Sequence, residues 1–257
     1  MHNTTKDLQK FYDSAAESFS GTRKRHWPEF TYILWYLKER FAEYISQKKT
    51  LRIIELWCGD GRLLGFLEEH LGCEIIYTGV DISYNLLAIA NSNHPTATRV
   101  HSDMCDYMSK VEQESVDCVI GIASFHHLPT ILQRIQVLDS IYTCLKYEWC
   151  CLMTNWCYSD WFKAKYKAAI TKARWKSYLS LWYFDKNDIM VPWKNPQWEL
   201  LATRLYHIFS PWELGKLFIQ SWFTKLEQVY ISSAGEITPH EADGRNLISS
   251  GVKSIYG

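Results

Sequence analysis

The chain has 257 residues, of which 47% are hydrophobic and 22% are charged, as in an ordinary folded protein. Its 28 basic residues balance its 28 acidic ones, so attraction to nucleic acid or a membrane would need a local patch. No run approaches the roughly 18 apolar residues that span a bilayer, and the N-terminus does not resemble a signal peptide. The eight cysteines form no C-x-x-C pair. We therefore expect no membrane segment, no metal site, and a cytoplasmic protein with reduced thiols.

Short apolar runs alternate with helical patterns along much of the chain. The predicted strands cover residues 51–57, 74–81, 96–104, 115–124, 149–156, 223–232 and 245–257. The predicted helices cover residues 61–72, 83–93, 129–146 and 210–223. Strands that alternate with helices form right-handed βαβ units. The sequence therefore predicts a Rossmann-like α/β fold, with a seven-stranded, mostly parallel sheet and helices on both faces.

Two regions do not follow this alternation. Residues 155–207 are rich in aromatic residues and lysine, and we predict that they form a mostly helical insertion before the last helix and strands. Residues 1–45 precede the first strand and are predicted to form an N-terminal helical cap. Residues 1–257 are then expected to form a single domain.

The loop ELWCGDG, residues 55–61, follows the first predicted strand. Its two glycines, Gly59 and Gly61, allow the backbone to approach a ligand closely. Asp81 lies at the end of the second strand, where a carboxylate can accept both hydroxyls of a ribose. Asp103, at the end of the third strand, can accept a hydrogen bond from the exocyclic amine of an adenine. This spacing predicts an adenosine-type cofactor; the alternative is a structural turn with incidental acids.

The acidic residues around this loop narrow the choice of cofactor. Glu55 precedes the glycines and Asp60 lies between them. Negative charge next to a pyrophosphate is costly, whereas it suits ammonium and sulfonium groups. The loop therefore favours S-adenosylmethionine over a dinucleotide and argues against a simple NAD-binding module.

Longer segments carry a family resemblance. IIELWCGDGR, YTGVDIS, HSDM and VDCVIGIASFHHL resemble segments of class I S-adenosylmethionine-dependent methyltransferases, over roughly residues 50–154 and 208–255. Shorter motifs are similar to those of the tRNA wobble-uridine carboxymethyl methyltransferases: FYDSAAESFSGTRKRHWP (11–28), His126 and His127 with Arg134, VPWK (191–194), YHIFSPWEL (206–214) and GRN (244–246). That family esterifies the carboxymethyl group at C5 of uridine 34. The resemblance implies S-adenosylmethionine as cofactor, tRNA as substrate and a small activator subunit as a candidate partner.

The resemblance also implies roles for individual residues. The expected cofactor-binding residues are Tyr12, Arg23, Glu55, Trp57, Cys58, Gly59, Asp60, Gly61, Asp81, Ile82, Asp103, Met104, Ile122 and Ala123. The expected residues at the transferred methyl group are His126, His127, Arg23 and Arg245, which would position an anionic acceptor. The alternatives are that the histidine pair caps the following helix and that TRKRH (22–26) is a solvated basic turn.

The insertion carries a basic and aromatic segment. It has six basic residues and no acidic one between Trp161 and Phe184, and tyrosines and tryptophans are interleaved with them. The basic residues are Lys163, Lys165, Lys167, Lys172, Arg174 and Lys176. Cations reach phosphates and aromatic rings stack on unpaired bases, so this segment predicts tRNA binding. The alternative is a solvated helix whose aromatic residues pack on the sheet.

Three tryptophans occupy positions where a turn calls for glycine. Trp57 is at the first glycine position of the loop, Trp149 is in the turn before the fifth strand, and Trp222 follows a helix where glycine is favoured. Tryptophan and glycine each occur 12 times. One hypothesis is that the gene encodes glycine by UGA at these positions. Otherwise the pocket is remodelled around Trp57, or the chain is a non-catalytic RNA binder; a small-molecule methyltransferase is a further alternative.

Overall fold

The computed structural model describes residues 5–21, 26–180, 185–194 and 200–255. Within these ranges the chain forms ten α-helices and ten strands. The helices are α1 (Thr5–Gly21), α2 (Pro28–Arg40), α3 (Ala42–Ser46), α4 (Arg62–His70), α5 (Tyr84–Asn93), α6 (Met104–Met108), α7 (Ile131–Cys144), α8 (Asp160–Lys165), α9 (Lys167–Ser180) and α10 (Pro211–Gln220). None of these helices, in the part of the chain that is described, combines the length and apolar character needed to cross a membrane.

The strands form one large sheet and one hairpin. They are β1 (Leu51–Leu56), β2 (Ile75–Asp81), β3 (Thr98–His101), β4 (Val116–Ile122), β5 (Leu145–Trp156), β6 (Asp188–Lys194), β7 (Leu200–His207), β8 (Thr224–Ile231), β9 (Ile237–Thr238) and β10 (Asn246–Val252). The order in the large sheet is β3-β2-β1-β4-β5-β10-β8-β9. Strands β1 to β5 pair in parallel, and β10 runs antiparallel to both β5 and β8.

The predicted Rossmann-like fold is confirmed, with one difference in strand number. The large sheet has eight strands in the described ranges instead of the predicted seven. The additional strand is the two-residue β9, which pairs with the end of β8. A short turn causes this pairing, because the amide of Ser232 donates to the carbonyl of Glu236 and folds the chain back on itself.

Helices bury apolar residues against both faces of the sheet, as expected for continuous apolar strands. On one face, residues of α2 and α4 such as Ile33 and Leu67 pack against β1 and β4. On the other face, residues of α7 and α10 such as Ile141 and Phe218 do the same. Every residue of β4 is buried. The sheet core fixes the strand ends, and the candidate site is built on those ends.

The insertion is only partly helical, so that prediction is wrong for its second half. Helices α8 and α9 are as expected, but β6 and β7 form an antiparallel hairpin. Ile189 and Val191 alternate with less buried residues, which is the period of a strand. The predicted third strand is also too long: it ends at His101, and Asp103 caps α6.

Two of the three tryptophan turns have the backbone that favours glycine. Trp57 and Trp222 have φ angles of +59° and +68°, in the left-handed region. Trp149 does not, because the positive φ of its turn, +66°, falls on Glu148. The Trp149 ring instead stacks on Phe41, with centroids 4.3 Å apart. The backbone conformation therefore favours glycine at positions 57 and 222 but not at position 149.

Candidate active site

A cavity of about 1230 Å³ lies at the carboxyl ends of β1, β2, β4 and β5. This is the edge of a parallel sheet where ligands bind. Helices α1, α2, α4, α5 and α8, the β6–β7 hairpin and the start of β10 supply the remaining walls. Of the predicted site residues, the cavity is lined by Tyr12, Glu55, Trp57, Cys58, Gly59, Asp60, Asp81, Ile122, Ala123 and Arg245.

The other predicted site residues do not line this cavity. They are Gly61, Ile82, Asp103, Met104, His126 and His127. Met104 is buried in the core beside the sheet, and the Asp103 side chain accepts a hydrogen bond from the amide of Cys105 at 2.8 Å. Asp103 thus stabilises the start of α6, which the sequence did not predict. Arg23 lies outside the described residues.

The turn after β1 exposes its backbone to the cavity. Gly59 and Gly61 have φ angles of +57° and +79°, which side chains disfavour. A Cβ atom at Gly61 would lie 3.2 Å from the Cβ of Ala90 in α5, so the loop and this helix approach closely. The backbone of this loop is therefore accessible to a cofactor that carries a flexible amino-acid tail.

Asp81 anchors this loop and also faces the cavity. Its carboxylate accepts hydrogen bonds from the amides of Gly59 and Ser83, both at 2.8 Å. Burial raises the pKa of Asp81 to about 6, although these two hydrogen bonds act to lower it. A carboxylate has about four lone-pair positions, so the two amides leave room for two ribose hydroxyls.

The other acidic residues of the loop are less exposed than the sequence suggests. Glu55 is buried and accepts a hydrogen bond from the Tyr77 hydroxyl. Burial raises the pKa of Glu55 to about 8, so its neutral form is favoured until a cation binds beside it. Asp60 is paired with Arg62 at 2.7 Å. Carboxyl groups at this position suit a cationic ligand group better than a negatively charged pyrophosphate.

The two histidines lie behind the cavity wall, in a 3₁₀ turn after β4. The ring of His127 donates through Nδ1 to the carbonyl of Leu205 at 2.7 Å, because a carbonyl can only accept. Its Nε2 is 3.5 Å from the Tyr12 hydroxyl. Burial, with the nearby Arg204, lowers the pKa of His127 to about 3. His127 is therefore a neutral hydrogen-bond acceptor at physiological pH.

The alternative that the histidine pair caps the next helix is wrong. Thr130 is the N-cap of α7, and its side chain accepts from the amide of Gln133. His126 accepts a hydrogen bond at Nδ1 from the amide of Trp156 at 3.4 Å. Burial also lowers the pKa of His126 well below its usual value. Both rings are thus neutral parts of the site's rear wall.

Arg204, on β7, is a site residue that sequence reasoning missed. Only 4% of it is exposed, and it lines the cavity. Its guanidinium carbon lies 4.6 to 5.8 Å from four aromatic ring centroids, and one terminal nitrogen donates to the Tyr12 hydroxyl at 2.9 Å. The four rings belong to Phe11, Tyr12, Trp193 and Tyr206. Among the described residues no carboxylate lies within 4.0 Å of it, and its Nε has no hydrogen-bond partner.

Trp57 shapes the centre of the cavity. Its ring is stacked on His127, with centroids 5.1 Å apart, and lies 6.4 Å from the Tyr12 ring. Its Nε1 is buried and finds no partner in the described part of the chain. The indole therefore separates the glycine loop from the histidine wall and places an unused donor in this region.

Of the six basic residues of the insertion, one lines the cavity and five do not. All six are exposed, and Lys165 is the one that also lines the cavity. The exposed face of α9 includes Trp175 and Tyr178. Arg245 also lines the cavity, and its guanidinium carbon lies 5.8 Å from the centroid of the Trp161 ring. It is therefore at the outer end of the cavity, whereas Arg204 is at the inner end.

One group of described residues has metal-ligand chemistry: Asp185, His207 and Glu213. The His207 ring, however, already contacts two carboxylates, Asp188 at Nδ1 and Glu213 at Nε2, both at 2.7 Å. Burial would lower the pKa of His207, but these two hydrogen bonds raise it overall. The arrangement is that of a protonated histidine between two carboxylates.

Comparison with known proteins shows which enzymes this chain resembles. Residues 53–148 match the family model described as a methyltransferase domain. The tRNA (carboxymethyluridine(34)-5-O)-methyltransferase ALKBH8 of Mus musculus is 27% identical over 138 residues, which are 53% of this chain and 18% of that protein. The enzyme of the same name from Arabidopsis thaliana is 26% identical over 151 residues, 59% of this chain and 33% of that protein. The chain thus spans a third or less of these two relatives. A protein of Encephalitozoon cuniculi named as a methyltransferase is 25% identical over 86% of this chain and 88% of its own.

Solved structures support the fold. A S-adenosylmethionine-dependent methyltransferase from Clostridium acetobutylicum superposes with a TM-score of 0.63, at 10% identity, over 96% of this chain and 99% of its own. A methyltransferase in complex with the Haloferax volcanii Trm112 activator gives a TM-score of 0.60, at 15% identity, over 97% and 99%.

The fold is that of class I S-adenosylmethionine-dependent methyltransferases, and residues 53–148 match the model of a methyltransferase domain. The residues of this cavity fit that cofactor, since the loop backbone and the spare lone pairs of Asp81 would hold an adenosyl group and the buried carboxyl of Glu55 would lie near its cationic end.

Proposed function

We propose that this methyltransferase esterifies a carboxylate, and that the carboxylate is the carboxymethyl group on the wobble uridine of tRNA. The observation that carries the proposal is the buried guanidinium of Arg204, which faces the cavity without a carboxylate partner among the described residues. A buried charge is costly unless it is paired. An acceptor carboxylate supplies the missing partner, and a planar guanidinium can bind both of its oxygens.

The neutral state of His127 supports an acceptor that needs no deprotonation. With a pKa of about 3, His127 is a poor general base at neutral pH. A carboxylate is already ionised there, because its ordinary pKa is about 4. The hydroxyl of Tyr12 links Arg204 to His127 and helps to orient the acceptor oxygen. Orientation of this kind can lower a barrier by about 7 to 11 kcal/mol.

The cofactor would be held by Gly59 at the loop, Asp81 at the ribose and Glu55 near the cationic end. Bound there, S-adenosylmethionine supplies a methyl group on a positively charged sulfur. The chain's own residues then have two tasks, which are to exclude water and to align the carboxylate oxygen. The aromatic rings around Arg204 exclude water from the acceptor side.

Two observations support tRNA as the carrier of the carboxylate. The six exposed cations of the insertion stand near exposed aromatic rings, which is the composition that binds single-stranded nucleic acid. The curated relatives from mouse and Arabidopsis thaliana are named for methylation of carboxymethyluridine 34.

The test uses a synthetic anticodon stem-loop with 5-carboxymethyluridine at position 34, and the same RNA with unmodified uridine. We expect a methyl ester on the first RNA alone, detected by mass spectrometry of the nucleosides. Arg204→Gln should lower kcat/KM by about 100-fold or more while leaving the affinity for S-adenosylhomocysteine unchanged. Arg204→Lys keeps the charge and should retain part of the activity.

Two outcomes would contradict this function. Methylation of the unmodified RNA would show that the acceptor is not the carboxylate. Equal methylation of small carboxylic acids and of the RNA would favour the small-molecule alternative, because the insertion would then contribute nothing to recognition.

We also propose that the chain works as a single domain in the cytoplasm with a small activator subunit. The activator is suggested by the neighbour that was solved with Trm112. All eight cysteines are free thiols, which suits a reducing compartment. Activity of the purified chain alone, not increased by a co-expressed activator, would argue against the partner.

A further inference from the structure

The mouth of the cavity holds two cations over one aromatic ring. Trp161, on α8, is 49% exposed and lines the cavity. The ammonium of Lys165 lies 4.6 Å from the centroid of this ring, and the guanidinium carbon of Arg245 lies 5.8 Å from it. Because both cations also line the cavity, an occupant of the mouth meets both of them.

These two cations have no carboxylate at ion-pair distance. No carboxylate in the described ranges lies within 4.0 Å of Lys165 or Arg245. Glu29 also lines the cavity; burial raises its pKa, and the charge of Arg245 has a smaller, opposite effect. Burial, and then the charge of Arg245, lowers the pKa of Lys165. An anion at the mouth would reduce the repulsion between Lys165 and Arg245.

A row of neighbouring aromatic rings runs along the cavity from the mouth to Arg204. The Trp156 ring is stacked on Tyr206, with centroids 4.4 Å apart, and is nearly parallel to Tyr166 at 6.2 Å. Asn246 lines the same cavity, and its buried Oδ1 has no hydrogen-bond partner among the described residues. The cavity therefore offers aromatic rings and one acceptor here, which fit a heteroaromatic base with a ring N–H.

We propose that Lys165 and Arg245 form a phosphate-binding subsite, so that the acceptor is recognised as a nucleotide. The phosphate binds the two cations at the mouth, the base lies against the aromatic rings, and the carboxylate on the base reaches Arg204. This assigns Arg245 to the phosphate instead of the methyl-accepting carboxylate. The inference rests on the proposed function, because it takes the carboxylate to be carried by a nucleotide.

Calorimetry with three small probes tests this subsite. They are the nucleoside 5-carboxymethyluridine and its 5′- and 3′-monophosphates, each titrated in the presence of S-adenosylhomocysteine. We expect at least one monophosphate to bind about tenfold or more tightly than the nucleoside, as for a charge-assisted hydrogen bond. The double variant Lys165→Gln, Arg245→Gln should lose this gain and keep the affinity for the nucleoside.

Lys216→Gln is the matched control, since Lys216 also lies over a tryptophan ring, that of Trp212 at 4.0 Å, but does not line the cavity. It should keep the full gain from the phosphate. Equal affinities for the nucleoside and both monophosphates would overturn the subsite and leave the proposed function intact. Failure of all three probes to bind, while S-adenosylhomocysteine binds, would overturn both.

Discussion

Trp222 has a backbone conformation that its side chain disfavours. It follows α10 with φ of +68°, and its amide donates to Ile219 while that of Phe223 donates to Phe218, each at 3.0 Å. This is a Schellman motif, in which the left-handed position favours glycine. Its ring is 74% exposed and contributes little packing. We expect Trp222→Gly to raise the free energy of unfolding by about 1 kcal/mol, measured by urea denaturation.

Trp222→Ala is the control, because it removes the same exposed ring but keeps the Cβ atom. It should not stabilise the protein as glycine does; equal effects of the two substitutions would mean that the backbone strain is not the cause.

The codons give a separate check of the hypothesis that UGA encodes glycine at Trp57 and Trp222. UGG at both positions would contradict it.

In its proposed role of binding the ribose, Asp81 should make cofactor binding depend on pH. Its pKa is raised to about 6 in the folded chain, mainly by burial. The ionised carboxylate accepts hydrogen bonds from ribose hydroxyls, and the protonated acid accepts them less well. The affinity for S-adenosylhomocysteine should therefore fall as the pH decreases through about 6, separately from any change near pH 8, where Glu55 titrates. Calorimetry between pH 8 and pH 5 measures this.

Asp81→Asn removes the titrating group and serves as the control. Its affinity should be lower at pH 8 and should no longer change between pH 7 and pH 5. If the variant kept the pH dependence of the original chain, another group would be responsible for it.

The sequence predicts the cofactor side of the cavity better than the acceptor side, for a physical reason. The glycine loop and Asp81 are close in the chain and are placed by adjacent parallel strands, so their spacing is informative. The surroundings of Arg204 are assembled from α1, β6 and β7, and its hydrogen bond to Tyr12 spans 192 residues. No short pattern encodes such a contact. The β6–β7 hairpin was missed because aromatic and basic residues obscure its alternation.

The β6–β7 hairpin is tied to α10 by an ionic network around His207. The buried His207 ring contacts Asp188 of β6 and Glu213 of α10, and Arg134 lies 3.8 Å from Asp188. Asp185 lies close to the same ring. The pKa of His207 is raised above its ordinary value of 6.5. The protonated ring therefore adds stability that is complete below pH 6.5 and lost as the pH rises through the folded-state pKa.

We expect the melting temperature of the chain to fall as the pH rises from 6 toward 9, because His207 loses its proton between two carboxylates. Differential scanning calorimetry measures the melting temperature across this range. His207→Gln should have a lower melting temperature at pH 6 and a flatter dependence on pH. An unchanged slope in this variant would exclude His207 as its source.

At the scale of the whole molecule, charge is distributed unevenly although the net charge is zero. The insertion concentrates cations on α8 and α9, beside the mouth of the cavity. The proposed attraction to RNA is then expected from this surface, because the zero net charge gives no general attraction to polyanions. The proposed tRNA binding should therefore have a salt dependence that mutations in the insertion change selectively.

Replacing Lys163, Lys167 and Lys172 with glutamate tests this arrangement, because all three are exposed and none lines the cavity. Each phosphate contact contributes about −0.7 to −0.9 to the slope of log K against log salt concentration. We expect the triple variant to bind tRNA more weakly and to lose about two or three units of this slope, measured by fluorescence anisotropy. The affinity for S-adenosylhomocysteine is the internal control and should not change. An unaltered slope would mean that the RNA binds another surface of the chain. The exposed aromatic residues of α9 would then be expected to contact protein.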